Sequence, residues 1–266
     1  MSENAMTRRS LLAAGLGACL ALAGCQSGPS SSAPSRTAEE ERAAAVERRV
    51  DLLESALKER DNAARLMDAL GAALPERVWL TEVAYGNGEA RVKGIARSRV
   101  LFIDYLSSLE RNAELAEVSL RSSAQRSARD RETQEFELRA VLAIETGEVS
   151  RPSGSAEARL ENLEKLLPGC DETSEFFRQF QRLASDAGLQ MTKFAPAGAV
   201  PGEPYEEWAA AIEVMGGQAA LRRFLGGVAD WPHLWVVEKF SFKALAADDS
   251  RSPVRAAIEV RTLLRD

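Results

Sequence analysis

Shifted against itself by 122 positions, this chain brings one segment into line with another without a gap, so it reads as built twice from one unit. Val92 falls on Val214, Gly94 on Gly216, Phe102 on Phe224, Phe136 on Ile258, Glu137 on Glu259, Leu138 on Val260 and Arg139 on Arg261. Solenoid repeats recur every 20 to 50 residues or so, and two copies at this longer distance read instead as two small domains of one fold in tandem. Copies of roughly 100 residues match the common size of a domain with its own core.

The elements of each copy follow from hydrophobic period. A helix is expected to begin near Ala38, with Val46, Val50, Leu53 and Leu57 at spacings of four, three and four, and to run through Leu66 and Leu70 to Pro75. That seam either packs on its own domain or forms a short coiled coil with a partner. Beyond Pro75 the residues favour strands: Val78, Leu80 and Val83, then Gly86, Asn87 and Gly88 as a tight hairpin turn, then Ala90 to Ile95. Arg99 to Leu109 returns to helical spacing. Val118 and Leu120 alternate as a third strand and Phe136, Leu138 and Ala140 as a fourth, with polar Arg121 to Gln134 read as a long hairpin loop.

A linker over 145–156 separates the copies, and the order then repeats. Phe176, Phe177, Phe180 and Leu183 mark a helix, Leu189 to Phe194 a strand, and Trp208 to Met215 its partner across a loop with Pro196, Pro201, Gly202 and Pro204. Leu221 to Val228 is the second helix, Leu234 to Phe242 and Ala256 to Leu264 the last strands. The expected fold is α+β. Two tandem ferredoxin-like domains, or a circular permutation of that fold, each carry a four-stranded antiparallel sheet with helices on one face. Such a sheet leaves two unpaired edges for extension or for side-by-side dimers.

The first 25 residues read as a leader. Arg8 and Arg9 form a positive start, Leu11 to Leu22 an apolar stretch short for a membrane span, and Leu22, Ala23, Gly24 and Cys25 a lipobox-like close. Small residues before the cysteine suit a lipoprotein signal peptidase, with the Cys25 thiol taking the lipid. The paired arginines also resemble a twin-arginine signal. Gln26 in place of aspartate implies passage to the outer membrane under the enterobacterial sorting rule, and residues 26–37, rich in Ser, Pro and Gly, read as a flexible tether. With Cys25 acylated and Cys19 removed, Cys170 has no disulfide partner.

No catalytic set, metal site or cofactor is expected. His233 is the only histidine and follows Trp231 and Pro232 at a helix-to-strand corner, where a satisfied loop residue is the simpler reading. Gly216, Gly217, Gly226 and Gly227 lack both P-loop and dinucleotide spacing. Paired acids such as Glu206 with Glu207 sit in exposed-looking segments, whereas acid/base work needs one carboxyl raised by burial. A net charge of −6 with no basic stripe excludes nucleic acid as an expected partner. Trp79 and Trp235 belong in cores. Trp208, after the Pro-rich loop, is the aromatic that could mark a partner surface together with Val46, Val50, Leu53 and Leu57.

Specific segments also resemble a known family. Leu70 to Pro75, Val78 to Val83, the Val92, Lys93, Gly94 strand and Phe102 to Leu109 resemble the periplasmic domain of PilN-type fimbrial assembly proteins. Leu167, Pro168, Phe177 to Leu183, Ala187 to Leu189, Phe194, Pro196 and Tyr205 to Phe242, with Arg223, Phe224 and Leu225 leading to Val228, Ala229 and Pro232, resemble the PilO-type partner. The resemblance implies a PilN-like domain over 38–144, including the N-terminal amphipathic helix, and a PilO-like domain over 157–266. It implies a non-enzymatic scaffold in type IV pilus or type II secretion assembly. Its expected partners are PilN- or PilO-type proteins, a pilus lipoprotein, a secretin or a second copy, and it reaches the membrane through the lipid anchor. A stand-alone envelope module for a polymer or small ligand is the alternative, and would need a deep pocket.

Overall fold

Asn87 and Gly88 take positive φ angles of 55° and 75°, the two-residue turn that matches strand twist, and they close a hairpin between β1 (Val78–Gly86) and β2 (Glu89–Ala96). The computed structural model describes residues 36–128, 131–143, 154–246 and 252–265. The leader with Arg8, Arg9, Leu22, Ala23, Gly24 and Cys25, the tether up to Ser35 and most of the expected linker lie outside the described residues.

After β2, Ser98 caps α3 (Arg99–Glu110) by accepting from the Leu101 amide. Strands β3 (Leu115–Ala128) and β4 (Arg131–Leu142) follow. The expected loop over 121–134 is instead the far end of this hairpin, paired to Ala128 opposite Arg131. From Arg121 to Arg126 every residue is exposed, so both faces of that stretch meet solvent and the apolar alternation that marks a strand is absent. In the second half come α4 (Ala156–Glu164), α5 (Phe176–Ala187), β5 (Gln190–Val200), β6 (Glu206–Gly216), α6 (Gln218–Ala229), β7 (Val236–Ala244) and β8 (Val254–Leu264). Gly188, at φ 83°, ends α5 in the left-handed conformation that only glycine adopts without strain.

The halves repeat the same order, and the structure is α+β with one continuous antiparallel sheet. Strand β1 pairs with β7, Glu82 opposite Lys243 through Gly86 opposite Lys239, so the sheet runs β3-β4-β2-β1-β7-β8-β6-β5. One edge expected to be free in each half is therefore consumed by the other half. Register also corrects the gapless echo. Val92 pairs with Leu138, but Val214 pairs with Ala256 and not with Val260, so the strands and helices repeat at slightly different offsets.

Helices α3 and α5, with α6 and α2 (Asn62–Ala72), cover one face and enclose the main core. The expected single helix to Pro75 is broken at Asp61, and its first part, α1 (Arg36–Arg60), leaves that face. On β8, Ala256, Ile258 and Val260 point into the main core while Arg261 and Leu263 point to the opposite face. There α1 packs with α4 over Val236, Leu263 and Tyr205 in a second core. Thus α1, although joined to the first half, lies on the second.

Gly94 shows how tightly the main core is closed. It pairs with Phe136, whose ring covers the missing side chain, and a Cβ there would stand 2.8 Å from the Trp79 carbonyl oxygen. Gly94→Ala is expected to cost about 1–3 kcal/mol by overpacking, read as a lower urea midpoint at unchanged slope. A variant as stable as the parent would mean the ring can move aside.

Candidate interaction surfaces

The seam on α1 forms a site, but one filled by the chain itself. Val50 and Leu53 are 1% and 0% exposed, and Val46 and Leu57 pack at the margin of the same cluster, against Leu160, Leu163 and Leu166. Trp208 is likewise buried, its ring 4.9 Å from Phe176 and 5.7 Å from Trp235. Val50, Leu53 and Trp208 are therefore taken up inside the chain, while Val46 and Leu57 stay half-buried at the margin. Apolar residues at helical or alternating spacing were satisfied within the chain, where burying each contributes about 1.5–3 kcal/mol.

Charged residues flanking the seam fix where α1 sits. Arg49 pairs with Glu164 of α4, Glu54 with Arg159 of α4, and Glu59 with Arg261 of β8 at 2.9 Å. Arg261 also reaches Glu238 at 2.8 Å. The Arg49 Nε donates to the Tyr205 hydroxyl at 3.2 Å, which donates to Glu164 at 2.7 Å, and the guanidinium lies 5.1 Å from the ring centroid. Sequence reasoning missed these partners. Their signal was present: Arg49 and Glu54 occupy the positions beside a heptad seam where charges choose a partner helix.

Beyond α1, the outer face of the sheet is a field of paired charges. Arg139 grips Glu89 through two bonds of 2.6 and 2.9 Å and touches Glu117 at 3.3 Å, while Lys93 meets Glu82 and Lys239 meets Glu259. The hydrogen bond from Arg139 holds the Glu89 carboxyl below its usual range, and Glu259 raises the Lys239 ammonium. A hollow of about 580 Å³ on this face is open and lined by such pairs, including Lys93, Arg126, Glu135 and Glu137. His233 stands 3.4 Å from Glu172. Among the described residues no group of three His, Cys, Asp or Glu is placed to hold a metal ion, and no helix is long and apolar enough to cross a membrane.

All three tyrosines resist ionisation. Burial pushes the Tyr205 phenol up to about 12, with Glu164 adding to the shift; burial also raises Tyr105 strongly, and burial followed by the charge of Glu59 raises Tyr85. Each folded value exceeds the unfolded one near 10, so the stability these groups contribute is complete below pH 10 and is lost as pH rises toward 12. At pH 10 the folded chain is expected to show much less tyrosinate absorbance at 295 nm than the chain in urea. Equal absorbance would contradict the burial of these phenols.

Residues 65–142 match the family model described as fimbrial assembly protein (PilN). No curated protein matches the chain. Two solved structures share partial likeness. The type 4 fimbrial biogenesis protein PilO from Pseudomonas aeruginosa is 24% identical over 42% of this chain and 87% of its own, with a TM-score of 0.35. The core region of PilO from the type IV pilus system of the same organism is 25% identical over 34% of this chain and 92% of its own, with a TM-score of 0.31.

Proposed function

We propose that this chain is a non-enzymatic scaffold of type IV pilus or type II secretion assembly, held on the periplasmic face of a bacterial membrane by a lipid on Cys25. The match of residues 65–142 to the PilN family model carries the reading. That segment falls inside the proposed PilN-like unit, 38–144, and the proposed PilO-like unit, 157–266, follows it. Joining the two covalently turns a bimolecular pairing into an intramolecular one, with effective concentration set by the linker. The β1–β7 ladder and the α1–α4 contacts are consistent with such a built-in pairing.

A scaffold of this kind needs rigid, complementary surfaces more than a cleft, and the described surface includes paired charges, an open hollow and two sheet edges. Outward partners are PilN- or PilO-type proteins, a pilus lipoprotein or a secretin. Affinity capture of the tagged chain from native membranes is expected to bring down a secretin or a pilus assembly component. Recovery of neither, with the chain intact, would overturn the scaffold reading. The anchor is tested separately: Cys25→Ser is expected to move the chain from the membrane fraction to the soluble one.

A further inference from the structure

The junction within this chain joins unlike surfaces, and each of the two kinds of surface recurs without a partner at an end of the molecule. At the junction the first strand and first helix of one half, β1 and α2, meet the third strand and second helix of the other, β7 and α6. What remains is a third-strand, second-helix end formed by β3 and α3, and a first-strand, first-helix end formed by β5 and α5.

Matched positions show what the junction covers. Caps at Ser98 and Arg111 bound α3 as Gly217 and Asp230 bound α6, so Ile103 occupies in α3 the place of Arg222 in α6. Arg222, its own side chain 47% exposed, pairs with Asp68 of α2 across the junction at 3.3 Å, so the matching flank of α3, where Ile103 is also 47% exposed, is the one that faces the free end. Leu120 pairs with Leu138 as Val237 pairs with Val260, yet Val237 is buried and Leu120 is 46% exposed. The opposite end shows Phe177 and Val200, 45% and 60% exposed. With Val100, these make five of the seven large apolar side chains that the described residues expose, so exposure concentrates at the two ends.

We propose that copies of this chain associate head to tail, the α3/β3 end of one docking on the α5/β5 end of the next. A second copy is the occupant because its α5/β5 end belongs to the same kind of unit that covers α6 and β7 within the chain. The contact is weaker than the internal one. Pro196 and the irregularity before Gly198 interrupt β5, and Ser122 to Arg126 make the far part of β3 polar, so the ladder is short and helix flanks carry the contact. Unlike surfaces do not close on themselves in a pair, so rows or rings form. This goes beyond the scaffold reading and does not depend on the lipid anchor.

Sedimentation velocity of the intact chain in non-ionic detergent tests it. The parent is expected to show a sedimentation coefficient that rises with concentration. Ile103→Asp, Leu120→Arg and Phe177→Asp, all at exposed positions, are each expected to weaken association at least about tenfold while tryptophan emission stays unchanged. Ile103→Asp keeps its α5/β5 end and Phe177→Asp keeps its α3/β3 end, so their mixture is expected to form a one-to-one dimer that neither forms alone. A parent monomeric at every concentration, variants that still associate, or a mixture that stays monomeric would overturn the proposal.

Discussion

Trp235→Ala is expected to lower folding stability by about 3–5 kcal/mol, one of the two largest effects of any single substitution argued for this chain. Its side chain is 0% exposed and sits among Phe176 and Phe180, both 4.9 Å away and edge-on, with Trp208 at 5.7 Å and Trp231 at 6.3 Å. These rings come from α5, β6 and the end of α6, so the indole ties three elements of the second half together. Truncation loses the transfer energy of the ring and leaves a cavity that four rigid neighbours cannot fill. The indole Nε1 is buried without a hydrogen-bond acceptor, so Trp235→Phe removes an unsatisfied donor along with volume and is expected to cost clearly less. Urea unfolding of both variants gives the comparison. A loss below about 1 kcal/mol for the alanine variant would show that the cluster is not packed as described.

That cluster was only half legible in the sequence. Period and turn chemistry mark the elements well: Asn87 and Gly88 specify their hairpin, and alternation through Phe136, Leu138 and Ala140 places β4 in the core. The duplication was legible too, because the same helix and strand order recurs. Pairing between the halves was not, since an edge strand and a central strand with one covered face carry the same alternation. Phe240 stacks on Tyr85 across the junction at 5.3 Å, but nothing local to either residue names its partner. Nor did sequence place α4, where Leu160 is the one deeply buried residue in a charged stretch. The fate of Trp208 was obscured by the Pro-rich segment before it, which reads as a loop and suggested exposure. β5 in fact extends through Pro196 to Val200 at the sheet edge, where a proline can be accommodated.

Leu53→Asp is expected to release α1 while the main core stays folded. The side chain is fully buried in the second core, between α1 and α4, and the residues of that cluster are separate from those packed between the sheet and the other four helices. A carboxylate there must give up its water inside an apolar cluster, while Arg49 and Arg159 at the margin of the seam are already paired with Glu164 and Glu54, and the change is expected to cost more than about 4 kcal/mol. Arg49–Glu164, Arg159–Glu54 and Arg261–Glu59 do not rescue it, because partly exposed ion pairs hold only about 1 kcal/mol or less each. Once loose, α1 offers Arg42, Arg48, Arg49 and Lys58 to trypsin. The variant is therefore expected to be cut within α1 at trypsin concentrations that spare the parent, and to keep its tryptophan emission, because Trp208, Trp231 and Trp235 belong to the main core. Loss of that emission together with cleavage would mean that the two cores unfold as one unit. Retention of α1 would mean that the seam is held by contacts other than Val50, Leu53 and their neighbours. Selective release places the first conformational freedom of the molecule at Asp61, where the helix already breaks, and makes α1 a separable clasp of the second half.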